Sequence, residues 1–151
     1  MTPQETARRI IHANNYLTLA TTDHTGHPWA SPVYFTPDSG IDFYWVSRPD
    51  SRHSLNLTTR PEVAIVIFNS QLPVFHAEAV YLTAHAEQVN DGDLPHCTAL
   101  YRRRHPDLTT FTPEHLQAPN LLRLYRARAV EASVLLDDDG PDSRVPLALP
   151  I

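Results

Sequence analysis

The sequence predicts a mainly β protein, a six-stranded antiparallel β-barrel with helical insertions, built as a single domain over residues 1–151. Three observations carry the prediction. Six segments alternate apolar with polar residues, or run apolar, and are rich in β-branched and aromatic side chains. Short turn clusters join the first three of them, as in a hairpin meander. Helix signals interrupt only between the third and fourth segments and before the last, which disfavours a parallel nucleotide-binding sheet.

Taken in order, residues 1–12 hold an N-terminal helix, with Ala7, Ile10 and Ile11 on one face and Thr2 as its cap. Tyr16 to Thr22 is the first strand, and Asp23-His-Thr-Gly26 turns the chain with a glycine available for positive φ. Trp29 to Thr36 returns as the second strand, with Trp29, Ser31, Val33 and Phe35 on one face and Ala30, Pro32 and Tyr34 on the other. Pro32 requires a sheet edge or a bulge there, because it donates no ladder hydrogen bond. Ile41 to Ser47 completes the meander, and a helix from about Ser51 to Thr59 ends before Pro61. Val63 to Phe68 is nearly all apolar and reads as a central strand covered on both sides. Ala77 to Val89 alternates, with Val80, Leu82, Ala84 and Ala86 inward. Leu94 to about Arg104 is helical, Thr112-Pro113 opens a further short helix, and Leu121 to Leu136 is the last strand, with Leu124, Val130, Ala132, Val134 and Leu136 inward. Asp137 to Pro141 breaks the order, leaving 137–151 as an arm or a loose tail.

Composition narrows the function classes. A net charge of −5 lacks the basic surface that nonspecific nucleic-acid binding needs. Val63 to Phe68 and Val134 to Leu136 are too short to span a bilayer, and no export signal is visible, so a cytoplasmic location is expected. Cys97 is the only cysteine, which excludes an intrachain disulfide and a thiolate cluster. The pair His24 and His27 has no third ligand, and no metal site is expected. The run Arg102-Arg-Arg-His105 reads as the basic end of a helix, with a local anion contact as the alternative. The four glycines are too far apart for a P-loop or a dinucleotide fingerprint. Trp45 is the aromatic residue expected beside a ligand cleft, and no catalytic side chain is assigned.

The most informative stretch is Asp42 to Leu57, where an aromatic strand runs into a helix start carrying hydroxyls, Arg52 and His53. Asp50 or Ser51 can cap that helix, and its free N–H groups with the Arg52 charge suit an anion such as a flavin phosphate. An ordinary capped surface helix fits the same residues.

The order and spacing of these pieces resemble the pyridoxamine-phosphate-oxidase-like family of FMN-binding split barrels. The resemblance runs from about Ala13 to Leu136, through the hairpin Leu17 to Phe35, the strand Phe43 to Ser47, the Ser51-Arg52-His53 helix start, the Arg60 to Val66 strand entry and the Val80 to Glu87 strand. It implies a homodimer with FMN in clefts between subunits and a small-molecule substrate. It places Ser31, Pro32 and Val33 against the flavin ring, Val46 and Ser47 beside ring and phosphate, and Ser51, Arg52 and His53 at the phosphate. His53 stands where the family carries lysine, which exchanges a fixed charge for a titrating imidazole. The tryptophan-containing Arg/His motif of the vitamin-B6 oxidases is missing near the C-terminus, which argues against that substrate. The implied activity is hydride or electron transfer by an FMN-dependent oxidoreductase. The alternatives are a deazaflavin-dependent reductase using Arg48, Arg60 and Arg102 to Arg104, and a non-catalytic cofactor-binding protein.

Overall fold

The computed structural model describes residues 1–107, 109–138 and 143–151, so Asp139, Gly140 and Pro141 of the expected chain break lie outside the described residues. Six antiparallel strands form a closed ring: β1 (Tyr16–Thr22), β2 (Pro28–Asp38), β3 (Asp42–Ser47), β4 (Glu62–Phe68), β5 (Ala79–Gln88) and β6 (Arg123–Leu135). Their order is β3-β2-β1-β4-β5-β6, and a β3–β6 pairing closes the circle. Alternation turns Leu17, Leu19, Phe35, Phe43, Ile67 and Val80 into the interior, where each is almost fully buried. The β1–β2 hairpin is fixed by Asp23, whose carboxylate accepts from the amides of Thr25 and His27, while Gly26 takes φ +91°.

The first half of β2, Pro28–Tyr34, pairs only with β1, whereas β3 joins β2 from Phe35 onward. Pro32 therefore sits on an unpaired edge, as its missing N–H requires. Two strand expectations need correction. β4 is not covered on both faces: Val63, Ile65 and Ile67 are buried, but Ala64 and Phe68 are exposed on the barrel's outer side. Apolar residues on both faces had masked an ordinary half-buried alternation. In β6, Val130 is exposed, because the register against β5 shifts between Thr83 and Ala84 and leaves Val130 as a bulge residue. The bulge reverses the phase, so Tyr125, Ala127 and Ala129 point inward before it and Ala132 and Val134 after it. Leu124 is buried instead in a second, external core.

That second core packs helix α3 (Leu94–Arg102) and a 3-10 turn (Pro113–Leu116) against Tyr44 and Leu124. The N-terminal helix α1 (Pro3–Ala13) starts at the expected cap: Thr2 accepts from the Glu5 amide, and Glu5 accepts from the Thr2 amide. The basic run beyond α3 anchors the fold. Arg104 donates to the carbonyls of Ile11, His12 and Phe35, satisfying the end of α1, and Arg103 pairs with Asp38. No helix is long and apolar enough to cross a membrane among the described residues.

Residues 143–151 form an arm. Strand β7 (Arg144–Leu147) pairs with β6, Gln4 donates to the carbonyls of Ala148 and Pro150, and Ile151 is buried with its amide on the Gly40 carbonyl. Gly40 has φ +64°, and a Cβ there would stand 2.1 Å from the Ile151 carbonyl oxygen. Gly40→Ala is expected to lower stability by about 1–3 kcal/mol, because backbone rather than a flexible side chain must yield. A urea midpoint equal to wild type would show that the arm contributes nothing to the fold.

Candidate functional site

Helix α2 (Arg52–Thr59) lies over one end of the barrel and is held there from beneath. The Asn56 amide donates 3.0 Å to the Thr21 hydroxyl, both groups buried, and Leu57 enters the core. This fixing points the first turn of α2 at the free edge of β2. Ser51 occupies the N-cap position but does not cap with its side chain. Its hydroxyl donates instead to the Arg48 carbonyl and shares a second hydrogen bond with the Ser54 hydroxyl, each at 2.8 Å. Asp50 is drawn away in a bidentate pair with Arg48. The first-turn N–H groups thus have no side-chain cap, so the helix start keeps its donors and its positive dipole end.

Arg52 extends from that turn over the Trp29 indole, with its guanidinium carbon 4.4 Å from the ring centroid. Among the described residues it pairs with no carboxylate, unlike Arg9, Arg48, Arg103, Arg126 and Arg128. His53 is 9% exposed, and its Nε2 lies 2.8 Å from the Ser47 hydroxyl and 3.3 Å from the Ser51 hydroxyl. Burial pushes the imidazole below its ordinary pKa, because the charged form is the one that loses hydration. Uncapped amides, the Ser47 and Ser51 hydroxyls and the His53 imidazole lie together at this helix start, with the Arg52 guanidinium over Trp29 beside it and the neighbouring Asp50 paired with Arg48. Donors of these kinds suit an anion.

The eight expected residues divide between this cluster and its surroundings. Ser47, Ser51 and His53 are joined by hydrogen bonds, and Arg52, next to them in the first turn, turns its guanidinium to Trp29. Val33 is buried, so only its backbone is available, and Pro32 is exposed on the outer face. Ser31 shares the strand face of Trp29 and is half-buried. Val46 lies on the opposite face of β3 from Ser47, packed against the external core. Trp45 requires correction: it is fully buried in the barrel and stacked on Tyr125 at 5.8 Å, so its ring offers no exposed face. Of the cations considered for a longer phosphodiester tail, Arg48 is engaged by Asp50, Arg60 by the His24 carbonyl, and Arg103 and Arg104 by the contacts given above, whereas Arg102 Nε is buried without a hydrogen-bond partner among the described residues. No metal-binding group of three ligands is present among the described residues.

The sequence profile described as pyridoxamine 5'-phosphate oxidase matches residues 3–129. The chain belongs to this family. No curated protein matches it. Among solved structures, a heme binding protein from Mycobacterium smegmatis superposes with TM-score 0.75 at 20% identity, over 97% of this chain and 58% of that one. The heme storage protein HutZ from Vibrio cholerae gives 0.71 at 19% identity, over 90% and 95% of the two chains. A Clostridium acetobutylicum protein of the pyridoxinephosphate oxidase family, related to general stress protein 26 of B. subtilis, gives 0.70 at 9% identity, over 97% and 94%. At these identities the likeness is one of fold, the split barrel. This chain spans little more than half of the M. smegmatis protein.

Within the pyridoxamine 5'-phosphate oxidase family frame, sequence reasoning missed the supports of the cluster. Ser54 is buried and bonded to Ser51, and it lies near the Tyr125 phenol, whose pKa burial raises, an effect Ser54 opposes. Asn56 and Thr21 lie far apart in the chain, and no local pattern joins them. Trp29 precedes Arg52 by one hairpin and one turn and lies beneath its guanidinium, a pairing that no local pattern marks.

Proposed function

We propose that the chain is an FMN-binding flavoprotein, a homodimer with the cofactor between subunits, acting as an oxidoreductase on a small molecule. The observation that carries the reading is Arg52, free of carboxylates and held at the uncapped start of α2 beside Ser47, Ser51 and His53. The donors suit a phosphate dianion, and family membership makes a flavin phosphate the first candidate. Bound FMN would supply the hydride or electron transfer. The chain's own groups bind, orient and shield: Glu78 and Glu87 are committed to Arg9 and Arg126, and neither sits in the cluster as an acid or base.

Dimerisation is supported by the outer face. Pro32, Thr18, Val66, Tyr81 and Ser133 align across five strands without a charge, and Phe68 and Val130 are 46% and 64% exposed on the outside of the barrel. A cavity of about 790 Å3 opens on that face between β4, β5, β6 and the arm. Such a face suits an isologous contact. Visible absorption of the purified protein, FMN titration and light scattering test the reading together. Flavin bands or micromolar FMN uptake by a dimer are expected. A monomer without flavin uptake that gives a Soret band with hemin would overturn it, and a flavin-loaded dimer without turnover would limit the function to cofactor binding.

His53 gives a graded prediction. Being buried and depressed in pKa, it is neutral at pH 7.5 and contributes a neutral hydrogen bond. His53→Lys is expected to tighten FMN binding about fivefold there, the margin of a charged over a neutral hydrogen bond. As pH falls through the depressed pKa the wild-type imidazole gains charge, so its disadvantage against His53→Lys shrinks. A gap that stays constant while pH falls through the titration of His53, followed by the NMR shifts of its ring protons, would remove His53 from the phosphate contact.

A further inference from the structure

We infer that Trp29 is a positioning residue, which holds the Arg52 guanidinium ready for the phosphate without using up any of its donors. The inference rests on the phosphate reading of Arg52 given above. An exposed arginine has many rotamers, and a protein commonly limits them with a carboxylate. Asp42 does this for Arg128, with two hydrogen bonds at 2.9 Å each. Such a pair occupies the N–H groups that an incoming anion needs and cancels the charge that attracts it. Contact with an aromatic ring avoids both effects: it brings no counter-charge, and in a face-to-face stack the five N–H bonds in the guanidinium plane stay free.

The surroundings fit that role. Trp29 is 41% exposed, with its backbone fixed in register opposite Thr21. Thr21 in turn accepts from Asn56 of α2, the helix that carries Arg52. Strand and helix are thereby tied at one place, so the ring and the guanidinium meet by construction of the backbone. The nearest acidic side chain in sequence, Asp50, is already held by Arg48. Trp29 therefore acts on the phosphate end of the cofactor, and the isoalloxazine end does not depend on it.

The test compares FMN with riboflavin, which lacks the phosphate, by calorimetric titration of flavin-free wild type, Trp29→Ala, Trp29→Phe, Arg52→Ala and the double variant. Trp29→Ala is expected to weaken FMN binding about two- to fivefold, the strength of an exposed cation–π contact, and to leave riboflavin binding unchanged. Trp29→Phe retains a ring face and most of the affinity. In the Arg52→Ala background the Trp29 change adds no further loss. Equal losses for FMN and riboflavin would mean that Trp29 touches the ring system, and additive losses would mean that the two residues act separately; either overturns the inference. Intact FMN affinity in Arg52→Ala would instead defeat the phosphate reading itself. A flavin-free readout complements these: in a Trp45→Phe background Trp29 is the sole tryptophan, and its emission is expected to shift on Arg52→Ala, whereas an unchanged spectrum would disprove the stack in solution.

Discussion

Arg52→Ala is expected to weaken FMN binding by about 10- to 100-fold at moderate salt, the span that hydrogen bonds from a charged donor command. The loss falls on the phosphate, so riboflavin binding is expected to stay within twofold of wild type. Arg52 is the formal charge at this helix start that no carboxylate pairs among the described residues, since burial disfavours the charged form of His53 and Arg48 is paired with Asp50. Uncapped helix amides remain in the variant and account for the residual affinity. Arg52→Lys is expected to fall between the two, because a lysine keeps the charge but neither stacks nor forks in the same way. Raising ionic strength weakens the wild type more than the alanine variant, as expected for a charge at the mouth of the barrel. Isothermal titration decides the matter, and an FMN affinity unchanged by Arg52→Ala would end the phosphate assignment.

The parts of this architecture written in local patterns were legible. Alternation in Tyr16–Thr22 and Ala79–Gln88, turn residues at Asp23–Gly26, the Thr2 cap and the Ser51-Arg52-His53 helix start each appear in the structure close to their expected positions. What was not legible depends on contacts between distant segments. Val130 could not be placed because a bulge is set by the partner strand, and alternation read along β6 alone carries one phase through it. The arm could not be placed because Ile151 is fixed by a carbonyl at Gly40, more than a hundred residues earlier. At the start of α2, residue types put Ser47, Ser51, Arg52 and His53 forward, yet the absence of a counter-charge on Arg52 among the described residues is a property of the assembled surface. Val46 shows the same limit in reverse, since adjacency to Ser47 in sequence means the opposite face in a strand.

Trp45→Ala is expected to destabilise the fold by about 3–5 kcal/mol, the usual result of removing a large aromatic from a closed core. Trp45 is 0% exposed and stacks nearly parallel to Tyr125, at 11°. For a chain of this length the loss corresponds to a fall in melting temperature of roughly 6–20 °C. Trp45→Phe is expected to be far milder, for a reason specific to this site. The indole Nε1 is buried without a hydrogen-bond partner among the described residues, so the substitution deletes no polar contact and exchanges one ring for a smaller one. Equal destabilisation by phenylalanine and alanine would show that Nε1 makes an essential bond. The comparison also separates the two tryptophans by role. Changes at Trp29 and Arg52 are expected to alter phosphate affinity while leaving stability within about 1 kcal/mol, because both side chains are near the solvent. Changes at Trp45 act first on stability. Tyr125 links the two regions, being stacked on Trp45 and close to Ser54. If the cluster is supported from the core through that link, Trp45→Ala in its folded form binds FMN more weakly than Trp45→Phe does. Equal affinities would confine the role of Trp45 to the barrel interior.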